Sequence, residues 1–190
     1  MNIEAAPQEK TTRDKIPVVA LRLFAEKGYE ATSMREIAEQ LNITKAALYY
    51  HFDSKEDIVR AVVSTMIDDV GDLVAWARTQ PTGPHLNREI LSRWIDIRQA
   101  QGLALFRFMV TNRRLLEDVK SEHQDIRSQM AELYELLTPP MATLDEQLRV
   151  RMALMSITMA GTAGMDIDAS EDEIFAAARR IAFGLLPAGD

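Results

Sequence analysis

Apolar residues recur along this chain three and four positions apart, the spacing that lines one face of an α-helix, and no stretch alternates as a strand requires. Ile16, Val19, Ala20, Leu23 and Phe24 mark a first helix, with Gly28 placed to stop it. Pro17 falls inside that pattern. Proline fits only a helix's first turn, where its missing N–H would be unpaired anyway. The helix is therefore expected to begin with Asp14 as N-cap, or to bend at Pro17. Ser33 followed by Glu36 is an S-x-x-E capping box, and Ile37, Ala38 and Leu41 give the helix behind it an inward face. Asn42 suits a left-handed turn residue. Thr44 can cap the next helix, with Ile43 and Leu48 as its hydrophobic staple.

Ser54 with Asp57 opens a long helix through Ile58, Val62, Met66, Ile67, Val70 and Leu73 to about Arg78, where Pro81-Thr82-Gly83-Pro84 forces a loop. Further helices are expected over residues 86–100, 103–110 and about 121–137, the last stopped by Thr138-Pro139-Pro140. Two more capping boxes, Thr143 with Glu146 and Ser170 with Glu173, open helices over 144–163 and 171–185. The fold class is all-α, with about nine helices.

Residues 45–51 carry the candidate chemistry. So short a helix is unstable alone and must be held by Leu48 and Phe52. Tyr49, Tyr50 and His51 are consecutive, so one face cannot bury all three. Two readings stand: three ordinary core helices, or a helix-turn-helix whose second helix enters a DNA major groove. On the second, Lys45, Ala46 and Tyr50 are candidates for base edges, since lysine donates to guanine and an alanine methyl meets the thymine methyl. Tyr49, His51 and Lys55 are candidates for phosphates. So is Ser33, with the N–H groups at its helix start. Arg35 can reach either, and Thr44 shapes the entry.

The run from 13 to 62 resembles the DNA-binding domain of the tetracycline-repressor (TetR) family of bacterial regulators. The resemblance rests on Leu23-Phe24-Ala25-Glu26-Lys27-Gly28-Tyr29, Ala31-Thr32-Ser33, Ile37-Ala38, Leu48-Tyr49-Tyr50-His51-Phe52 and Lys55-Glu56. It covers about a quarter of the chain; the rest is similar to the family only in being helical. The resemblance implies a disordered arm over 1–10, a helix-turn-helix domain over 11–55, and a regulatory and dimerisation domain over 56–190. It implies a homodimeric repressor on a palindromic double-stranded DNA operator, released by a small-molecule effector, and no enzyme. It also implies DNA contacts at Lys45, Tyr49 and His51.

The small residues around Ala160 and Ala178, with Ile174, Ile181 and Leu185, allow close helix approach. They form either an intramolecular pair or, as the resemblance implies, a four-helix dimer interface. Trp94, Phe106, Met109, Met130, Tyr134 and Met155 read either as a flexible core or as an adaptable pocket for an apolar effector. Arg98, Arg107 and His85 are polar anchors for such a ligand or solvated helix-face residues. The long helix from Ser54 is the natural transmitter between effector and DNA.

Charge complicates the picture without reversing it. The net charge is −7 over 190 residues, but residues 1–60 hold nine Lys/Arg against ten Asp/Glu, so the acidic excess lies mainly elsewhere. Weak non-specific DNA affinity is expected. The absence of cysteine excludes disulfides and thiolate metal sites, and three scattered histidines offer no metal-ligand spacing. No cofactor is expected. With no apolar run near ~20 residues and no signal-like start, a cytoplasmic protein without membrane contact is expected.

Overall fold

The computed structural model describes residues 11–112 and 120–186, and the arm expected over 1–10 lies outside them. The described residues form helices α1 (Thr12–Lys27), α2 (Met34–Gln40), α3 (Lys45–His51), α4 (Lys55–Arg78), α5 (Pro84–Gln101), α6 (Leu103–Thr111), α7 (Lys120–Leu137), α8 (Leu144–Thr158), α9 (Ala160–Ala163) and α10 (Glu171–Leu185), with no strand among them. The chain divides into two compact units, residues 1–62 and 63–190, with the division inside α4.

Local capping sets most helix starts. Ser33, Thr143 and Ser170 each accept the N–H three residues on, while that residue's carboxylate accepts from the cap. Ser54 and Asp57 share a 2.8 Å hydroxyl–carboxylate bond at the start of α4. One start differs from expectation. Thr11, not Asp14, caps α1: the Asp14 carboxylate accepts from the Thr11 N–H at 2.9 Å and from its hydroxyl at 2.7 Å. Asp14 is then the third helical residue, and Pro17 lies inside the helix. The reciprocal cap and the burial of Ile16 and Ala20 on either side of Pro17 hold a turn that proline opposes.

In the first unit, Ile16, Ala20, Leu23 and Phe24 of α1 are buried with Ile37 and Ala38 of α2, Leu48 of α3, and Ile58 and Val59 of α4. Tyr29 meets Phe24 edge to face, with centroids 5.0 Å apart. Thr32 is buried too, and its hydroxyl donates to the Gly28 carbonyl at 2.9 Å, which fixes the exit from α1. Gly28 adopts φ 92°, a conformation glycine takes without a Cβ penalty.

In the second unit α5 is central, packing against α6, α7, α8 and α10. Trp94 of α5 is 1% exposed, and its indole N–H donates to the Leu154 carbonyl at 3.2 Å. The helix expected over 144–163 breaks at Met159, and α9 continues it as a single turn. Packing explains the break. A Cβ on Gly161 would stand 3.1 Å from the Leu103 carbonyl oxygen, so glycine lets α9 lie directly on α6. Arg107 reinforces the contact by donating from Nε to the Gly161 carbonyl at 3.1 Å.

Candidate nucleic-acid interface

The turn between α2 and α3 is built locally. Asn42 takes φ 53°, and the Ile43 N–H donates to the Ala38 carbonyl at 3.0 Å, closing the end of α2. Thr44 then caps α3 by accepting the Ala47 N–H at 3.1 Å. Leu48 is fully buried and Phe52 is 5% exposed; these two residues anchor the short helix. The other faces of α3 stay outside. Lys45, Ala46, Tyr49 and Tyr50 are exposed, Tyr50 at 86%, and His51 is half-buried.

These residues form two adjacent stripes at helical spacing. Lys45 and Tyr49 make one, with the ammonium 5.5 Å from the phenol ring centroid. Ala46 and Tyr50 make the other, and Tyr50 meets His51 edge to face at 5.2 Å. The arrangement offers a cation, a methyl, two phenolic hydroxyls and an imidazole from a single helix. Lysine and methyl groups match guanine and thymine edges, while hydroxyls suit phosphates.

Three other candidates are committed within the first unit. Ser33 is held in its box with Glu36, whose carboxylate also accepts from Lys27 at 3.0 Å. Those hydrogen bonds, the backbone one first, pull the Glu36 carboxyl down to about 2. A carboxylate thus already occupies the start of α2, and a phosphate would have to displace it. Arg35 is exposed and paired with Glu39 at 2.7 Å. Lys55 donates to the Tyr29 carbonyl at 2.7 Å and lies 4.3 Å from the Tyr29 ring centroid.

The Tyr29–Glu56 contact was not legible in the sequence. The Tyr29 hydroxyl donates to Glu56 Oε1 at 2.7 Å. Burial, and then that carboxylate, push the phenol well above its usual value, while the same bond lowers Glu56. The partners are 27 residues apart, so no local pattern announces the pair.

In the second unit the candidates scatter. Trp94 and Phe106 are buried near one another, with the Arg98 guanidinium 3.8 Å and 5.3 Å from their ring centroids. Met109 is half-buried on α6. Met130 and Tyr134 line a different feature, an open groove of about 580 Å³ shared with Gln147 and Arg151. Met155 is 53% exposed on α8. The groove thus takes in two of the six candidates for an apolar pocket, Met130 and Tyr134, which also pack against the core cluster that holds Trp94. Arg98 is buried rather than solvated, Arg107 is tied to α9, and His85 is exposed.

The interface candidates divide as well. Ala160 and Ala178 are buried within the single chain, and Ile174 packs on Gly164, where a Cβ would stand 2.7 Å from Ile174 Cδ1. Leu185 is half-buried and Ile181 is 57% exposed. The sequence reading missed a stripe along α8 and its C-cap: Leu144, Leu148, Met152, Met155 and Met159 are all exposed large apolar residues. Their spacing of four, four, three and four was the available signal.

Comparison with known proteins sharpens the picture of the first unit. Residues 16–62 match the profile described as "Bacterial regulatory proteins, tetR family". The "Biofilm operon icaADBC HTH-type negative transcriptional regulator IcaR" of Staphylococcus aureus strain Newman is 45% identical over 62 residues, covering 33% of this chain and 33% of that protein. Its counterpart of the same description in Staphylococcus epidermidis is 51% identical over 51 residues, 27% of this chain and 28% of that one. The likeness thus spans about a third of the relatives' length. A solved TetR transcriptional regulator from Legionella pneumophila shares the fold, with a TM-score of 0.64 and 18% identity over 95% of this chain and 100% of that one.

Proposed function

We propose, from the match of residues 16–62 to the profile of bacterial regulatory proteins of the tetR family, that this protein is a DNA-binding transcriptional repressor acting as a homodimer. The observation that carries the reading is the outward surface of α3. Its buried Leu48 turns Lys45, Ala46, Tyr49 and Tyr50 away from the core. A recognition helix of seven residues spans few bases, so two copies on a palindromic operator supply the missing specificity. The name of the staphylococcal relatives, negative transcriptional regulators, supports a repressor.

Dimerisation is assigned to α8 and α10. The support is the stripe of Leu148, Met152 and Met155 on α8 and Met159 at its C-cap, together with Ile181 on α10, all exposed in the single chain. Large apolar side chains in a continuous stripe mark an interaction surface. The second unit is assigned an effector site, and α4, which the two units share, is assigned the coupling between effector and operator. Among the described residues no helix is long and apolar enough to cross a membrane, and we assign the protein to the cytoplasm, where its operator is.

The test is direct. The double variant Lys45→Ala/Tyr49→Ala should lose ~1–3 kcal/mol of operator affinity per half-site while keeping its fold and dimerisation. Genome-wide footprinting identifies the operator, and gel shift of the labelled fragment reads the loss. A double variant that shifts the fragment as well as wild type does removes α3 from the interface.

A further inference from the structure

Three buried side-chain polar atoms among the described residues lack a hydrogen-bond partner: Arg98 Nε, Gln129 Oε1 and Thr162 Oγ1. Arg98 is the one that carries charge. It sits near the end of α5 and is 2% exposed. Its Nη1 donates to Gln101 Oε1 at 2.7 Å, and Gln101 Nε2 donates onward to Asp69 Oδ2 at 2.7 Å. Asp69 therefore acts on the guanidinium through a neutral amide, not by a direct ion pair.

Two aromatic rings also lie beside the guanidinium. The Trp94 ring centroid lies 3.8 Å from the guanidinium carbon and the Phe106 centroid 5.3 Å from it. The Trp94 indole N–H is already used by the Leu154 carbonyl. Burial draws the guanidinium down to about 10, which still leaves it charged at neutral pH. A cation held this way is expensive to bury, and filling space beside Trp94 needs neither its charge nor its Nε. What does need them is a planar anion, because the guanidinium fork matches a carboxylate in geometry and charge.

We propose that Arg98 anchors an anion subsite in the second unit, which takes the carboxylate of an amphipathic monocarboxylate whose apolar body lies against Trp94 and Phe106. The proposal rests on the effector-binding reading above and gives that effector its chemical class: an organic acid rather than a neutral apolar compound. The two aromatic rings favour the body, and the orphaned Nε donor selects the head.

The experiment is calorimetric titration of the full chain, without DNA, with 4-phenylbutyrate and with decanoate, each beside its methyl ester. At least one acid should bind saturably, and its ester at least about tenfold more weakly, since hydrogen bonds to a charged group carry the difference. Arg98→Met keeps the side-chain bulk and should erase the preference of acid over ester while melting no lower than wild type. Arg98→Lys keeps the charge without the fork and should retain part of the preference. The proposal is overturned if neither acid binds saturably below about 1 mM, a weak affinity for a specific site. It is equally overturned if acid and ester bind alike, or if Arg98→Met retains the preference. Arg98→Met that melts well below wild type, with acid and ester alike on wild type, makes the guanidinium structural. Because no DNA is present, a negative result leaves the operator reading standing, and a failed gel shift leaves this one.

Discussion

Lys45 and Lys55 show how two similar residues in one motif come to have different surroundings. Lys45 is exposed beside Tyr49 and free to meet DNA, whereas Lys55 spends its ammonium on the Tyr29 carbonyl and ring. Lys55→Ala should therefore destabilise the first unit by ~1–2 kcal/mol, the sum of a hydrogen bond and a partly exposed cation–π contact, besides any loss of DNA affinity. Lys45→Ala should leave stability unchanged. Urea titration of both variants separates them, and equal midpoints would mean that the Tyr29 contact contributes nothing. Glu36 gives a pH signature at the same scale. Its folded pKa of about 2 lies below the ordinary 4.5, so its contribution is complete above 4.5 and is lost as pH falls towards 2. The stability gap between wild type and Glu36→Gln should narrow across that window. A gap that stays constant from neutral pH to about 2.5 would show that the capping box does not hold the carboxylate in its charged form.

Among the elements, α8 and α10 are amphipathic in two directions. One side builds the core through Ala153, Leu154, Ile157, Phe175, Ala178 and Ala182, and the other leaves Met152, Met155 and Ile181 outside. This separates two substitutions that the small-residue pattern alone would treat alike. Ala178→Glu puts a charge into the chain's own core and should unfold the second unit, a penalty of several kcal/mol. Met155→Glu/Ile181→Glu changes only exposed positions and should give a folded monomer by sedimentation, with unchanged helix content. If that double variant still sediments as a dimer, the interface lies elsewhere. The break between α8 and α9 belongs to this scale too, because the contact of Gly161 with Leu103 outweighs the continuity of the helical pattern.

For the whole molecule, charge constrains the proposed binding to DNA. A net −7 and a pI near 5.1 exclude broad electrostatic adhesion, so affinity must come from a few placed cations. Arg13, Lys15 and Arg22 are exposed on α1, while Arg35 and Lys55 are engaged within the unit. With about three phosphate contacts per protomer, operator affinity of the dimer should fall with log salt at a slope of about −5. Binding to unrelated DNA should be slight at physiological salt. Fluorescence anisotropy across a salt series measures both, and a slope near zero for the operator would contradict a phosphate-anchored interface.

Much of this protein is decided by neighbours in sequence. Capping boxes act over three residues, so Ser33, Thr143 and Ser170 announce their helices from the sequence alone. The left-handed turn at Asn42 and the short helix after Thr44 follow from equally local chemistry, which is why the turn and the helix behind it were legible in the sequence. Spacing even recorded the apolar stripe on α8, although Met155 was read with the pocket. Spacing alone could not tell which apolar residues meet. Trp94 lies in the core cluster against which Met130 and Tyr134 pack, Phe106 meets Trp94 only through Arg98, and Met155 faces outward, because which residues meet depends on how helices cross, not on their periodicity. Thr11 outcompeted Asp14 as the cap of α1 because Asp14 served that same box from inside the helix. The fates of Lys55, Tyr29 and Arg98 were likewise settled in three dimensions. A lysine, a phenol or a guanidinium has no preference between water and a partner until packing brings that partner within hydrogen-bond reach, and these partners stand 26 or more residues away for the first two and across α4, α5 and α6 for the third.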